Sequence, residues 1–429
     1  MKVLVISHNP FSSFQNMGKT MLSLFSAFDK NEVCQFYIYP SLPDVDKCSS
    51  YYRITDKNIL SSYFKFRVKG KEVQFESTIK QSLFENANDE KLYRNRKNKK
   101  PLRSLLRDLM WKWARWFNKD LRNWLDKEKP TCIFVAPGKA KFLYDLALKI
   151  SKVYNIPIVT YICDDYYFVK SPTRILEKIQ LNKLKKKIEK LISNSKQVIT
   201  ICKELEKVYY DKFNILVMTI MTGSNYKISD HIFVRDNVEL ISYMGNIRCN
   251  RYNSLAEIGR VIDEINDEDG SDYKLNIYTA EKDFNILKHF KNIKSINLCG
   301  FVFGDEFKRV LYSSDLLLHV EAFDEESVDL VKHSVSTKIA DSLASGVCLI
   351  AYGPENIASM HHLLKNECAF CITTKEKLKS SLKSIFFDYN LRAQYAEKAL
   401  ITAKEWHDAE ITSKNFYTVM EKVNEGNAN

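Results

Sequence analysis

Turn-forming residues are scarce in this chain: 9 prolines and 12 glycines among 429 residues. That poverty excludes a loop-rich all-β protein, whose hairpins need Gly and Pro in number. Long apolar runs are missing as well, and no window approaches the roughly 18 residues of a membrane span. The opening MKVLVISHNPFSS carries one lysine and an apolar run that stops at Ser7. It is too short for a signal-peptide core and reads as a first strand. Without an export signal, the ten scattered cysteines are expected to be reduced thiols in a cytoplasmic compartment. Cys368 and Cys371 form a single CxxC. With no second pair or nearby histidine, it predicts strand packing rather than a metal site. No repeat of period roughly 20–50 residues is visible.

What is present is core material. Hydrophobic residues make up 45% and aromatics 12%, and a single core stops growing near 250–300 residues, so two domains are expected. The net charge of +12 is concentrated in RNRKNKKPLRSLLRDLMWKWARWFNKDLRNWL, residues 94–125. Apolar residues there recur at Leu105, Leu106, Leu109, Trp113, Trp116, Phe117, Leu121 and Trp124, which predicts one long basic amphipathic helix. Such a helix either docks on its own domain or also touches an anionic membrane. No nucleic-acid motif accompanies the charge, so nucleic acid is not an expected partner.

Strand-like and helix-like segments alternate along the first half. Strands are expected at 2–8, 33–40, 131–137, 155–168, QVITIC and NILVMTIMTGS, with helices between them; the polar, tyrosine-rich stretch from about 45 to 100 carries no clear period. The polar segment KISDHIFVRDN, 227–237, separates a second series: VELISYMGNI, YKLNIYTA, INLCGFV, DLLLHVEAF and VCLIAYG as strands, then two closing helices without a further strand. Strand–helix alternation means mostly parallel sheets covered by helices on both faces. The expected domains are 1–228 and 229–405, with a terminal helix over 406–429. Open α/β sheets bind ligands at the carboxyl ends of their strands. Neither first turn carries GxGxxG, which disfavours a dinucleotide-dependent dehydrogenase. Each has a single glycine, Gly18 and Gly245, where a backbone can approach a ligand closely.

Three features of the second half fall where strands end. Arg248 and Arg251 follow VELISYMGNI. Glu321 and the acidic EAFDEES follow DLLLHV. Ser336, Thr337 and Lys338 open a helix, although a helix N-terminus prefers anions to a lysine. Two arginines, a lysine and a helix N-terminus converging on strand ends make a diphosphate site that needs no metal. In the first half, Asp164 and Asp165 follow PIVTYI, and His8 follows the first strand. CDDYYF reads equally as a loop whose carboxylates cap the next segment. The Asp44–Asp46 pair lies in a turn and is set aside.

The order GNIRxxR, CGFV, LLLHVEAF and STKIADSLASGVCLIAYGP resembles the donor-binding half of GT-B glycosyltransferases, nearest to family 4-like enzymes of bacterial surface-polysaccharide clusters. YYRITDKNIL, NIPIVTYICDDYYF and ITICKELEKVYYDKF resemble the first half of that group, and AKEWHDAEITSKNFYTVM its terminal helix, which crosses back onto the first domain. The likeness covers most of the chain, strongly over 238–354 and less over 62–130. It implies two Rossmann-like domains facing a central cleft. It implies that Gly245, Asn246, Arg248 and Arg251 meet the donor diphosphate, and that the backbone around Phe301 and Val302 meets the nucleobase. The family's E-x7-E motif reads H-x7-D here: Asp341 stands where the ribose-binding Glu would be, and His333 where the first Glu would be. The sugar-contact role then passes to Glu321 or to 324–329.

The expected reaction is transfer of a sugar from a nucleotide diphosphate sugar to a hydroxyl acceptor, a glycan or a lipid-linked molecule. The resemblance implies retention of configuration, no metal and no other cofactor. Candidate catalytic residues are Asp164, Asp165, His333 and Glu321, with Ser336, Thr337, Lys338 and Asp341 on the donor. The alternatives are a nucleotide-sugar epimerase of the same fold and a non-catalytic nucleotide-sugar-binding partner. The expected place is the cytoplasm, at the inner membrane face where the basic helix touches lipid.

Overall fold

The structure is a computed structural model that describes residues 1–13, 16–65, 67–75 and 101–426. Residues 94–100 of the basic segment lie outside them. The chain divides into two compact units, Met1–Ile220 with Ser413–Asn429, and Met221–Thr412.

The first unit is built on an eight-stranded sheet. Its strands are β1 (Val3–Ser7), β2 (Val33–Tyr37), β3 (Ser50–Arg53), β4 (Lys71–Val73), β5 (Cys132–Val135), β6 (Ile158–Ile162), β7 (Gln197–Thr200) and β8 (Val217–Thr219). They lie in the order β4-β3-β2-β1-β5-β6-β7-β8. Every pairing is parallel except β3 with β4. The strand order reverses beside β1, so the turns after β1 and β5 share the site-forming end of the sheet. β3 and β4 escape the sequence reading because their residues look polar. Ser50, Tyr51, Tyr52 and Arg53 are nevertheless all buried. Arg53 donates to the Pro40 carbonyl at 2.8 Å and the Tyr51 hydroxyl to that of Val45 at 2.7 Å. Long-range bonds that no local pattern announces thus make this strand buriable.

The expected long helix over 102–124 is two helices, Pro101–Trp113 and Lys119–Glu128. Asn118 divides them: its side chain accepts from the backbone N–H of Asp120 and Leu121, capping the second helix. The apolar phase also differs from expectation. Trp111, outside the expected stripe, is 1% exposed, whereas Trp113 is 67% exposed. Trp111 stacks on Phe142 at 4.0 Å and donates its indole N–H to Asp56 at 2.8 Å.

The second unit carries a six-stranded, wholly parallel sheet: β9 (Leu240–Met244), β10 (Lys274–Tyr278), β11 (Ile296–Gly300), β12 (Leu316–Val320), β13 (Cys348–Tyr352) and β14 (Phe370–Ile372). The order is β11-β10-β9-β12-β13-β14, with the reversal between β9 and β12. Alternate residues feed two cores. Ile241, Tyr243, Leu316, Leu318 and Val320 face one; Met244, Leu317, Leu349 and Ala351 face the other, with Ile339 and Leu343. Burial on both faces explains the near-continuous apolar strands. Cys368 is buried beside β14, and Cys371 lies within that strand.

The segment read as a separator, 227–237, is held by this second unit. Ser229 N–H donates to the Ala344 carbonyl and Phe233 N–H to that of Gly346. The residues from Ser413 onward belong to the first unit. There the Ser413 hydroxyl donates to the Leu24 carbonyl, and Phe416 packs its ring among Phe25, Phe28 and Phe134.

Candidate functional site

The reversal point of the second sheet gathers the charged groups. β9 ends at Met244, and Gly245 to Asn250 turn the chain into the helix Arg251–Asp269. Cys249 and Asn250 both take left-handed backbone conformations, with φ of 54° and 56°, which tightens the turn. The Asn246 carbonyl accepts from the Tyr243 hydroxyl at 2.8 Å, and its side-chain oxygen accepts from Arg248 N–H at 2.9 Å. Gly245 lies close to two side chains: a Cβ there would stand 3.1 Å from the Tyr243 hydroxyl and 3.4 Å from Lys338 Cε. The lysine that looked misplaced in sequence therefore lies against the first turn of the sheet.

Arg251 is the first residue of its helix, and its guanidinium forks onto Glu321. Nε and Nη2 donate to the two carboxylate oxygens at 2.8 Å each. Glu321 follows β12 directly and is 3% exposed; its backbone carbonyl accepts from the Ser254 hydroxyl. Burial raises its carboxyl above the ordinary range, against the pull of Arg251 and Lys338. Burial also opposes the Arg251 charge, but Glu321 overcomes it and holds the guanidinium above its usual value. Two residues before Glu321, His319 is buried with its Nε2 3.7 Å from Glu321 Oε1. Burial, then the charges of Arg251 and Lys338, hold this imidazole neutral, down at about 3.

The helix Thr337–Ala344 opens on the same region. Ser336 is its N-cap in extended conformation, with no capping hydrogen bond from its side chain. Arg248 lies apart from the cluster: it pairs with Glu281, with Nη2 donating at 3.0 Å, and that contact first of all holds the Glu281 carboxyl down at about 2. Phe301 is 60% exposed and stacks on Phe303 beyond the edge strand β11, while Val302 is buried. His333 is half-buried in the turn after the helix Glu325–Val331.

Asp341 has another employment than ribose binding requires. It is 1% exposed, and its carboxylate accepts from Asn225 N–H at 2.8 Å, the Asn225 side chain at 3.0 Å and the Ser224 hydroxyl at 3.2 Å. One turn along the helix from Lys338, it fastens the entry to the second unit.

In the first unit the capping reading of CDDYYF describes Asp165, whose carboxylate accepts from the backbone N–H of Tyr167 and Phe168 at 2.8 and 2.9 Å. Asp164 accepts from the Tyr166 hydroxyl at 3.1 Å and lines a small cavity with Tyr144, Thr160 and Tyr209. His8 Nδ1 bonds the Asn9 side chain beside the strand reversal. Gly18 admits the chain's own loop: a Cβ there would lie 2.7 Å from the Pro10 carbonyl oxygen. Among the described residues no group of three or more His, Cys, Asp or Glu is arranged to hold a metal ion.

The sequence reading missed His319 and Glu281. The signal for His319 was available, as the single basic ring in the apolar strand LLLHV. Glu281 had none, since its role depends on where β10 ends.

No protein-family model matches the chain, and no curated protein does. Solved structures do. HepE of Anabaena, in complex with UDP and glucose, superposes with a TM-score of 0.62 at 10% identity, covering 98% of this chain and 100% of that one. Sucrose-phosphate synthase of Thermosynechococcus elongatus gives 0.60 at 9%, covering 99% of each. A glycosyltransferase of Rickettsia africae gives 0.61 at 11%, covering 98% of each. With two Rossmann-like parallel-sheet units in one chain and these neighbours, the protein has the GT-B fold.

Proposed function

We propose that the protein is a glycosyltransferase that moves a sugar from a nucleotide diphosphate sugar to a hydroxyl acceptor, in bacterial glycan assembly. One observation carries the reading: Arg251, Lys338 and a helix N-terminus meet at the strand reversal of the second sheet, where α/β folds bind phosphates. The structural neighbours HepE, with UDP and glucose, and sucrose-phosphate synthase support it.

The chemistry follows from charge. When the sugar departs, negative charge grows on the outer phosphate of the leaving nucleoside diphosphate. Cations fixed in advance at that phosphate stabilise the transition state more than the ground state. In this reading Lys338 and Arg251 supply the charge, and the first-turn N–H groups of the helix Thr337–Ala344 add to it. The stereochemical course we propose is retention without a metal ion, as the family resemblance implies. Lys338→Ala tests the site. We expect kcat/KM to fall by about 2–4 kcal/mol in transition-state terms, with the fold intact by circular dichroism. Turnover near that of wild type on every accepted nucleotide sugar would remove Lys338 from the phosphate role.

One set of observations favours a second reading, a nucleotide-sugar-binding partner without turnover. Glu321 is paired with Arg251 and Asp165 caps a turn, so two expected catalytic carboxylates are engaged structurally. Binding of a nucleotide sugar with no release of nucleoside diphosphate, across a panel of acceptors, would select it.

We also propose that the first unit touches an anionic membrane at the cytoplasmic face. No helix among the described residues is long and apolar enough to cross a membrane. Phe64 and Trp113 are 81% and 67% exposed, Leu60 and Leu106 are also exposed, and the exposed Lys112 and Arg115 stand on either side of Trp113 in the sequence. Aromatic and basic side chains together suit a lipid surface. Flotation with vesicles containing anionic phospholipid tests this, and absence of binding at low salt removes it.

A further inference from the structure

A buried polar side chain in a sheet is normally hydrogen-bonded, because a lost partner leaves its desolvation uncompensated. His319 breaks that rule. It is 9% exposed, on the face of β12 that Leu317 shares with the helix Thr337–Ala344. Its Nε2 is sealed from solvent and finds no hydrogen-bond partner among the described residues. Glu321 Oε1 stands 3.7 Å away, just beyond reach. That same oxygen accepts from Arg251 Nη2 at 2.8 Å. One carboxylate therefore lies between two basic groups, engaged by the guanidinium and short of the imidazole.

We propose that His319 is a positioning residue that receives the Glu321 carboxylate when Arg251 turns to the diphosphate of a bound nucleotide sugar. The inference rests on the donor reading of this site. Glu321 holds the Nε–Nη2 edge of the guanidinium, so a phosphate that takes that same edge displaces the carboxylate. Glu321 cannot remain buried and unpaired once Arg251 leaves, since such a charge is strongly disfavoured. A small rotation of the carboxylate closes the gap to His319, which offers an Nε2–H. The field at the imidazole also reverses on binding. It is set by Arg251 from the helix Arg251–Asp269 and Lys338 from the helix Thr337–Ala344, with Glu321 at the end of β12 3.7 Å away and Tyr243 and Cys249 beside Arg251. A diphosphate neutralises the two cations, and the imidazole then takes one proton from solvent to become the cationic partner of Glu321. Donor binding is thus coupled to uptake of one proton, and it strengthens as pH falls.

The test is calorimetric titration of the full chain with UDP, GDP, ADP and dTDP, each against its nucleoside, at about pH 6 and about pH 8, which bracket the ordinary histidine range. Wild type is expected to bind at least one diphosphate more tightly at the lower pH. For that ligand His319→Phe should lose about tenfold in affinity, keep its nucleoside affinity and lose the pH dependence. His319→Gln, whose amide can donate to Glu321, should recover most of the affinity without the pH dependence. Diphosphate binding by His319→Phe equal to wild type in strength and pH response overturns the proposal. Equal losses for nucleoside and diphosphate also overturn it, because they mark a merely structural residue. If His319→Phe does not fold, a wild-type pH response in His319→Gln has the same force. Wild type that binds no nucleoside diphosphate sinks the donor reading itself, and this inference with it.

Discussion

Gly346 shows how a single residue can be legible while its reason is not. In sequence it breaks the apolar run ahead of VCLIAY. In the structure its φ is +78°, and a Cβ there would lie 2.3 Å from the His231 carbonyl oxygen. Strain and collision both follow, so Gly346→Ala should destabilise the protein by at least about 2 kcal/mol. Urea unfolding checks this, and a midpoint equal to wild type would contradict it. Lys338, Arg251 and Glu321 were likewise legible as strand-end charges. Their pairing was not. Arg248 and Arg251 look equivalent in GNIRCNR, yet one goes to Glu281 and the other to Glu321. The turn at Cys249 and Asn250 separates them, and its left-handed backbone leaves no periodic trace in the sequence.

At the scale of elements, apolar periodicity located most strands of both sheets, because parallel strands buried on two faces are apolar throughout. It failed where side-chain bonds replace apolarity. β3 buries a serine, two tyrosines and an arginine, and the helix over 102–124 breaks because Asn118 caps a new one. Asn118 also donates from its side chain to the Val68 carbonyl at 2.7 Å. Asn118→Ala should therefore cost about 1–2 kcal/mol, a lost cap together with a lost loop tie, measurable by urea unfolding. A change below about 0.3 kcal/mol would show that the cap does not hold the break. The same two helices carry an internal contrast. Trp111→Ala should cost about 3–5 kcal/mol, as for a core aromatic. Trp113→Ala should cost well under about 1 kcal/mol, and equal losses would refute the phase described above.

For the whole molecule, buried histidines govern the response to acid. His362 Nε2 meets His407 Nε2 at 3.0 Å, and His407 Nδ1 meets the Thr222 carbonyl at 2.9 Å. Burial, then the neighbouring His407, holds His362 down at about 3. Burial also lowers His407, although the Thr222 carbonyl and Asp341 oppose the shift. With His319, three histidines stay neutral in the folded chain below the pH at which the unfolded chain protonates them. Their contribution is intact above about pH 6.5 and is lost as pH falls toward the folded values. Each costs about 1.4 kcal/mol per pH unit once the unfolded ring is charged. Urea midpoints should drop clearly between about pH 7 and about pH 5, and less steeply in His362→Leu. A flat profile would contradict this account. His407 also accepts Ser224 N–H on its backbone carbonyl. The histidine pair therefore fastens residues 222–224 to the end of the helix Tyr389–Trp406 in the second unit.

The sequence by itself determined that there are two mostly parallel, doubly wound sheets, and that cations and carboxylates fall at the strand ends of the second. Both are local facts, one of periodicity and one of position relative to a strand. Only the tertiary structure decided which charges meet. It set Lys338 against Gly245, paired Arg251 with Glu321, left His319 Nε2 without a hydrogen-bond partner among the described residues and turned Asp341 toward Asn225. These contacts join residues 70 to 120 positions apart or depend on which face of a strand or helix is covered, and no spacing rule within one segment encodes them.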